Sequence, residues 1–558
     1  MAADPNARSL GGPLAILLVG VVWIAGLALR LHTFETHSLD QAVIHPHFYA
    51  ALMGRGEPWP FVGPPAAFFL RHGTVNALLL TLAQPFVDHL ADSARFAVVI
   101  RSLGIPLVFL VGRAVGAPSL GLIAAVCRAF APETVHLDRH FGGTYFLDTA
   151  LLLAMWGVAA GRAASTARLA ATGFVTACLP LIHPMGLPSG CGIALAGVLL
   201  LRERTPRERA VILGVAFLPL LPYAVAEVVS GFGATRSVLL MLTGGLVFEA
   251  PGADDVGLGW TVRHLLQAPA PAGVALLATL GFLAGLPLAV GWFAVPRIRA
   301  ALGVPGLAYA TSSAALLGLL LAVQGGAGYG HGHHVFSAFL LGIATLACLW
   351  GHWQAAAPAQ RPRREGILAI ALAVLVAPSL PGRIEVAVGA TEYWTPALAS
   401  YGSAAAMADL VAAERGGGPM HLLLVHGPDA RGSAVALSAV VVDLLEAGLP
   451  LDDLPQQPPG VPVEGWLIMV GTPPPTAPGR SVPFVDPDPH AEQLPVTVRV
   501  APEFMDVRDW AAGLPDDWEV FGTEEYQDLI EYYFARPRWP GNDGMLPVMD
   551  TPYRSAAL

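Results

Sequence analysis

The stretch AAFFLRHGTVNALLLTLAQPFV, residues 66–87, decides how this chain is laid across a membrane. Its length and apolar content suit a transmembrane helix, which needs about 20 mostly apolar residues. Counting it as one inverts every later connection and exports most of the arginines, although short cytoplasmic connections are expected to be arginine-rich. The stretch also carries Arg71 and His72, and an arginine centred in a bilayer costs about 2.5–3.5 kcal/mol on insertion scales. We therefore read residues 66–87 as an outer-face helix that lies in the interface or folds against the bundle.

With that reading the other apolar segments alternate consistently. Residues 12–29 form a retained first helix rather than a signal peptide, since no small-residue cleavage site follows and many more spans do. Further spans are expected near 95–113, 118–135, 148–163, 169–183, 188–201, 210–228, 272–294, 301–323, 334–352 and 366–381, about 11 in all. Arg8, Arg113, Arg162 and Arg168, the cluster Arg202/Arg204/Arg207/Arg209, Arg297 and Arg299, and Arg361/Arg363/Arg364 fall in alternate, short connections. Read as cytoplasmic, they put the N-terminus inside and the C-terminal region outside. The larger outer connections are then 31–94, 136–147, 229–271 and 324–333.

Charge supports two regions. Residues 1–381 hold 22 Arg against 16 acids, net +6, while residues 382–558 hold 9 against 25, net −16. Only 13% of the chain is charged and its mean hydropathy is +0.58, whereas soluble globular chains carry about 25% charged residues. The expected fold is a mainly α, polytopic helical bundle over 1–381, followed by a small, acidic α/β domain over 382–558. An acidic outer domain argues against nucleic acid, which requires basic surface. No lysine occurs, and the four cysteines all lie in apolar stretches, so no disulfide framework is expected.

In the C-terminal domain, strands are expected at 421–425, 466–470 and 496–500, with helices at 433–447 and 524–534. The turn at 427–433 is glycine-bearing after a strand, but it lacks the lysine of a phosphate loop and reads as an ordinary strand-to-helix turn.

Chemistry is expected where polar side chains cluster at a membrane edge. Asp40 follows the first helix in HTFETHSLDQAVIHPHFYAALM, among His37, His45 and His47; its plain alternative is a solvated loop carboxylate. Asp138, Arg139 and His140 lie in the second outer connection, and Asp148 opens the next span, where it also suits a helix N-cap. His331, His333 and His334 follow a glycine run at the start of a late span. They fit an anion at a helix N-terminus, zinc, or a purely structural role, in that order. Arg101 and Arg128 are the main charges within spans.

This arrangement resembles the C-type (GT-C) membrane glycosyltransferases, which include the protein O-mannosyltransferases and the bacterial transferase that adds aminoarabinose to lipid A. Asp40-Gln41 sits where that family has an essential acid after the first helix, and residues 66–87 match its interfacial segment. Arg95, Arg113, Gly116, Gly121 and Pro132 follow its next pattern. Residues 143–148 resemble the acid-terminated second outer loop, and residues 330–340 the late basic motif. The likeness covers about 1–355, with two departures: Gln41 replaces the usual acid, and His333-His334 stand where Arg-Tyr is commoner.

The resemblance implies transfer of a sugar from a polyprenyl-phosphate donor to a lipid, glycan or protein acceptor at the outer face of a bacterial inner membrane. It implies Asp40 as base, with Asp148 orienting the acceptor or holding a divalent metal with Asp40. Arg139, His331, His333 and His334, with Arg71 and His72, would then face the donor phosphate. The competing readings are a transporter or flippase, against which no paired halves are evident, and a non-catalytic scaffold presenting its outer domain.

Overall fold

A computed structural model describes residues 13–36, 41–54, 75–139, 146–183, 185–229, 232, 262–263, 265–266, 270–322, 331–391, 400–414, 421–426, 439–440, 442–444, 465–470, 476–487, 496–501, 514 and 519–522. The helices in chain order are α1 (Pro13–Leu31), α2 (Gln41–Gly54), α3 (Val75–Thr81), α4 (Leu90–Ser102), α5 (Gly104–Ala114), α6 (Pro118–Phe130), α7 (Pro132–Arg139), α8 (Leu147–Ala159), α9 (Thr166–Ile182) and α10 (Gly186–Leu201). They continue as α11 (Pro206–Phe217), α12 (Leu221–Val229), α13 (Ala272–Leu283), α14 (Gly285–Ala294), α15 (Pro296–Ala322), α16 (His331–Ala355), α17 (Arg361–Val376), α18 (Leu380–Thr391) and α19 (Tyr401–Glu414).

Six helical runs among the described residues are long and apolar enough to cross a membrane: Pro13–Leu31, Leu90–Ala114, Pro206–Val225, Pro296–Leu321, Val335–Ala355 and Pro358–Gly389. Two bent pairs, α6 with α7 and α13 with α14, raise the number to eight. Each of the 11 expected spans meets a helix, but α8, α9 and α10 are only 13, 17 and 16 residues long. The expected count is therefore not reached by length, because apolar composition alone locates a helix better than it measures one. The last run continues past residue 381, through α18 to Thr391. Of residues 66–87, the described part is α3 and a short 3-10 turn at Gln84–Phe86, too short to span. Asn76 in α3 donates to the Ile182 carbonyl (3.0 Å) and fixes this helix on the end of α9.

The bend between α6 and α7 is 62° and has a local cause. A residue before proline is pushed out of the helical region, and Ala131, before Pro132, is extended (φ −72°, ψ 121°). The chain turns there and carries Asp138 and Arg139 back across the end of α1. Elsewhere small residues set the packing, as in membrane helix pairs generally. A methyl at Gly342 of α16 would collide with the Ala278 carbonyl of α13, and one at Gly192 of α10 with the Ala308 carbonyl of α15.

Arginine does a distinct job at the end of the bundle opposite Asp148. Helices leave their last carbonyls unpaired, and guanidinium groups supply the missing donors. Arg168 donates to Gly157 O (3.1 Å) and to Trp156 O, Arg299 to Trp292 O (3.0 Å) and Phe293 O (2.8 Å), and Arg364 to Trp353 O (2.9 Å). Each also lies over the tryptophan whose carbonyl it caps, at 4.3, 5.2 and 3.7 Å from the ring centroid. Arg204 donates to the carbonyls of Arg162 (3.3 Å) and Ala164, tying neighbouring connections together. Three of the arginines that set the expected orientation, Arg168, Arg299 and Arg364, thus cap helix C-termini beside tryptophans, a pairing suited to a membrane interface.

The C-terminal region contains a five-stranded sheet with order β3-β4-β2-β1-β5, where β1 is His421–His426, β2 Gly465–Val470, β3 Arg480–Val482, β4 Val496–Ala501 and β5 Glu519–Gly522. Strands β1 and β2 are parallel, with Leu423 opposite Leu467, and the other pairs are antiparallel. Parallel strands need a long crossover; helical residues at 439–440 and 442–444 lie within it. The expected strands at 421–425, 466–470 and 496–500 are present, and the short β3 and β5 had no alternating pattern long enough to read. The expected helix at 524–534 and the turn at 427–433 lie outside the described residues.

This region docks on the bundle through Asp443, which is fully buried and accepts a hydrogen bond from the Leu90 backbone N–H (2.6 Å) at the start of α4. A carboxylate from one region thereby caps a helix of the other. His89 (3.7 Å from Asp443) and Asp409 complete the contact, Asp409 lying 3.7 Å from the second ring nitrogen of His89. Burial pushes the Asp443 carboxyl up to about 8, aided by Asp409 and Asp92 and opposed by the Leu90 hydrogen bond. The folded state therefore holds this proton more tightly than the unfolded chain. The associated stability is fully present below the ordinary carboxylate range and is lost as pH rises through about 8. The unfolding midpoint of the purified protein is expected to fall between about pH 4 and 8, and Asp443→Asn to flatten that slope. An unchanged slope in the variant would assign it to other groups.

Candidate functional site

Five charged side chains from five helices meet under the end of the bundle that faces residues 32–36. Arg30 (α1), Arg101 (α4), Arg128 (α6), Asp138 (α7) and Asp148 (α8) are 0, 2, 0, 1 and 6% exposed. Charges this deep are tolerated only when paired, and here three guanidinium groups share one carboxylate. Arg30 Nε donates to Asp138 Oδ2 (2.8 Å), while Arg101 Nε (3.1 Å) and Arg128 Nη2 (3.5 Å) approach Asp138 Oδ1. Arg30 further donates to the carbonyls of Gly26 (2.9 Å), Ala129 (3.0 Å) and Arg128 (2.8 Å), so it staples α1 to the C-terminus of α6.

Asp148 is held differently. Its Oδ1 accepts from Ser337 Oγ of α16 (3.2 Å), and its Oδ2 is 3.9 Å from Arg128 Nη1, too long for a hydrogen bond. The carboxylate is thus oriented and charge-compensated, with acceptor capacity left for an incoming hydroxyl, amine or cation. Asp138, by contrast, is engaged by three guanidinium groups. The N-cap expected of Asp148 is not what forms: Phe146 occupies that position without a side-chain cap, and Asp148 lies inside the first turn. Arg128 is wedged between Phe336, whose ring centroid is 4.6 Å from its guanidinium carbon, and Gly104, where a methyl would strike Nε. Gly104→Ala is expected to displace Arg128 from Asp148 and lower the melting temperature; unchanged stability would mean that the guanidinium relocates freely.

The residues singled out by sequence divide as follows. Asp148 joins the cluster. Arg139 is buried, with its guanidinium on the backbone carbonyls of Arg30, His32 and Thr33. α16 begins at His331, so His331, His333 and His334 occupy its first turn, but their side chains lie outside the described residues, as do Asp40, Arg71 and His72. Among the described residues no three His, Cys, Asp or Glu side chains converge as metal ligands. Sequence reasoning placed Arg101 and Arg128 within spans without pairing them, and did not single out Arg30. Their cost in a bilayer was the signal that partners had to exist; Asp138 is that partner.

No protein-family model matches the chain, and no curated protein matches it in sequence. In structure it is similar to ArnT from Cupriavidus metallidurans bound to undecaprenyl phosphate, at 12% identity and a TM-score of 0.51, covering 88% of this chain and 98% of that one. It also resembles the Archaeoglobus fulgidus oligosaccharyltransferase in its apo form (TM-score 0.43, 12% identity, 72% of this chain and 58% of that one). The archaeal oligosaccharyltransferase AglB from Archaeoglobus fulgidus, in complex with an inhibitory peptide and a dolichol-phosphate, gives a TM-score of 0.40 at 11% identity, over 72% and 58% of the two chains. With the ArnT architecture shared along nearly its whole length, and with apolar helices of spanning length, the chain is a multi-pass membrane protein that has the fold of the C-type glycosyltransferases.

Proposed function

We propose that the protein transfers a sugar from a polyprenyl-phosphate donor to an acceptor at the outer face of a bacterial inner membrane. The observation that carries this reading is the likeness to ArnT, a protein bound to undecaprenyl phosphate, along 98% of its chain. The cluster of Arg30, Arg101, Arg128, Asp138 and Asp148 agrees with it, because its fixed charges sum to +1 and it lies beneath the segment that leads to Asp40. Thr36 ends the described part of that segment and α2 resumes at Gln41. Asp40 is therefore within about 14 Å of Thr36, four residues at about 3.3–3.6 Å each.

The chemistry requires little else. Asp40 takes the acceptor proton as the acceptor attacks the anomeric carbon, and the bond from that carbon to the phosphate oxygen breaks. Positive groups stabilise the departing lipid phosphate; His331, His333, His334, Arg71 and His72 are the candidates. Asp148 orients the acceptor, or holds a divalent ion together with Asp40. The acceptor class spans lipids, glycans and proteins, and the acidic C-terminal domain stands outside the membrane.

Purified protein incubated with labelled undecaprenyl-phosphate sugars and mixed envelope lipids tests the reading. Protein-dependent release of undecaprenyl phosphate with label passing to an acceptor is expected. Binding of undecaprenyl phosphate without turnover of any sugar-loaded donor, or transbilayer movement of the donor unaltered, would replace transfer with transport.

A further inference from the structure

We propose that Arg139 is a positioning residue: it holds the turn at residues 30–33, and Tyr401 of the C-terminal region holds the next residue, so that the two together set where the chain delivers Asp40. This rests on the reading of Asp40 as the base. Three consecutive residues on the path to Asp40 are each gripped by a different element. Arg139 Nη1 donates to the carbonyls of Arg30 (3.2 Å) and His32, and Nη2 to that of Thr33 (3.1 Å). Phe34 is buried and stacks on Tyr401 of α19, centroids 5.0 Å apart and planes 21° from parallel. Glu35 pairs with Arg95 of α4 (2.5 Å), which also lies 6.0 Å from the Phe34 centroid.

The turn needs such a grip. Thr33 has φ +47°, a left-handed conformation that a β-branched residue rarely adopts. Strained backbone of this kind persists where surrounding contacts over-determine it, and it concentrates at functional segments. The planar fork of arginine matches several carbonyls at once, whereas lysine offers one point charge. With Nη1 and Nη2 committed to these carbonyls, and the guanidinium carbon 5.6 Å over Phe34, Arg139 serves the loop rather than the donor phosphate. Tyr401 makes α19 the second jaw, which couples the C-terminal domain to the catalytic segment.

The test compares full-length Arg139→Gln, Arg139→Lys and Tyr401→Leu with the parent protein. Transfer kinetics, undecaprenyl phosphate binding and amide exchange over residues 31–36 are measured in each. A misplaced catalytic group costs on the order of 100-fold, so Arg139→Gln is expected to lower kcat by about 10- to 100-fold while undecaprenyl phosphate affinity stays within about twofold. Lys is expected to rescue only part of the loss, Tyr401→Leu to lower kcat in the same direction, and exchange at 33–36 to speed up in all three. A tenfold or greater loss of undecaprenyl phosphate affinity with kcat kept would make Arg139 a phosphate ligand and overturn the proposal, as would unchanged exchange at 33–36. If Arg139→Gln does not fold, the Lys and Tyr401→Leu variants decide. Retained transfer by an Asp40→Asn variant would refute the base assignment instead, and the exchange measurement would still report whether Arg139 holds the turn.

Discussion

Asp40→Asn is expected to remove sugar transfer while leaving expression, membrane insertion and melting temperature unchanged. A positioned general base contributes about 10²–10⁴-fold to rate, and an amide cannot accept the acceptor's proton at neutral pH. Asp40 follows Thr36 by four residues and immediately precedes α2, on a segment that Arg139, Tyr401 and Arg95 anchor. Loss of rate without loss of undecaprenyl phosphate affinity is the expected signature, because the base acts on the acceptor and not on the leaving lipid. Transfer at the parent rate would take Asp40 out of the mechanism, and Asp148 would become the carboxylate to test next.

Asp138→Asn is expected to produce the largest loss of stability. Removing one partner of a buried ion pair costs about 3–5 kcal/mol, because the other charge stays buried and uncompensated. Here one carboxylate faces Arg30, Arg101 and Arg128 at 2.8, 3.1 and 3.5 Å, and the variant would leave all three guanidinium groups around a neutral amide. Asp148→Asn provides the contrast. It accepts one hydrogen bond, from Ser337, and lies 3.9 Å from Arg128, so the structural loss should be small and the activity loss large. Thermal unfolding in detergent beside transfer rates separates the two. If the Asp138 variant melts with the parent protein, the three arginines do not depend on that carboxylate for compensation.

Much of the helical architecture was legible because a bilayer imposes a simple code. Spanning helices must be apolar, and each expected span meets a helix. What that code does not measure is length: α8, α9 and α10 are short, and α6 breaks at Ala131 for a reason local to Pro132. The strands β1, β2 and β4 are continuous apolar or alternating runs and were readable. β3 and β5 are three and four residues long and depend on their neighbours for definition.

The site was legible only in part. Asp148 and Arg139 were picked out by their place beside apolar helices, yet the N-cap suggested for Asp148 and the bare cationic side chain of Arg139 both describe a residue in isolation. Neither could include a partner tens or hundreds of residues away.

From the sequence alone come the membrane bundle, which helices of spanning length bear out, an acidic C-terminal region, and the expectation, resting on the distribution of arginine, that residues 66–87 form an outer-face helix. Periodicity, length and charge sign are local quantities, so a single strand of sequence carries them. Only the tertiary structure decided that Asp138 answers Arg30, Arg101 and Arg128, that Asp148 keeps acceptor capacity, and that Arg139 grips the turn before Asp40. Those pairings join residues up to 189 positions apart. Low dielectric makes each of them obligatory once the helices pack, but the packing itself chooses the partners.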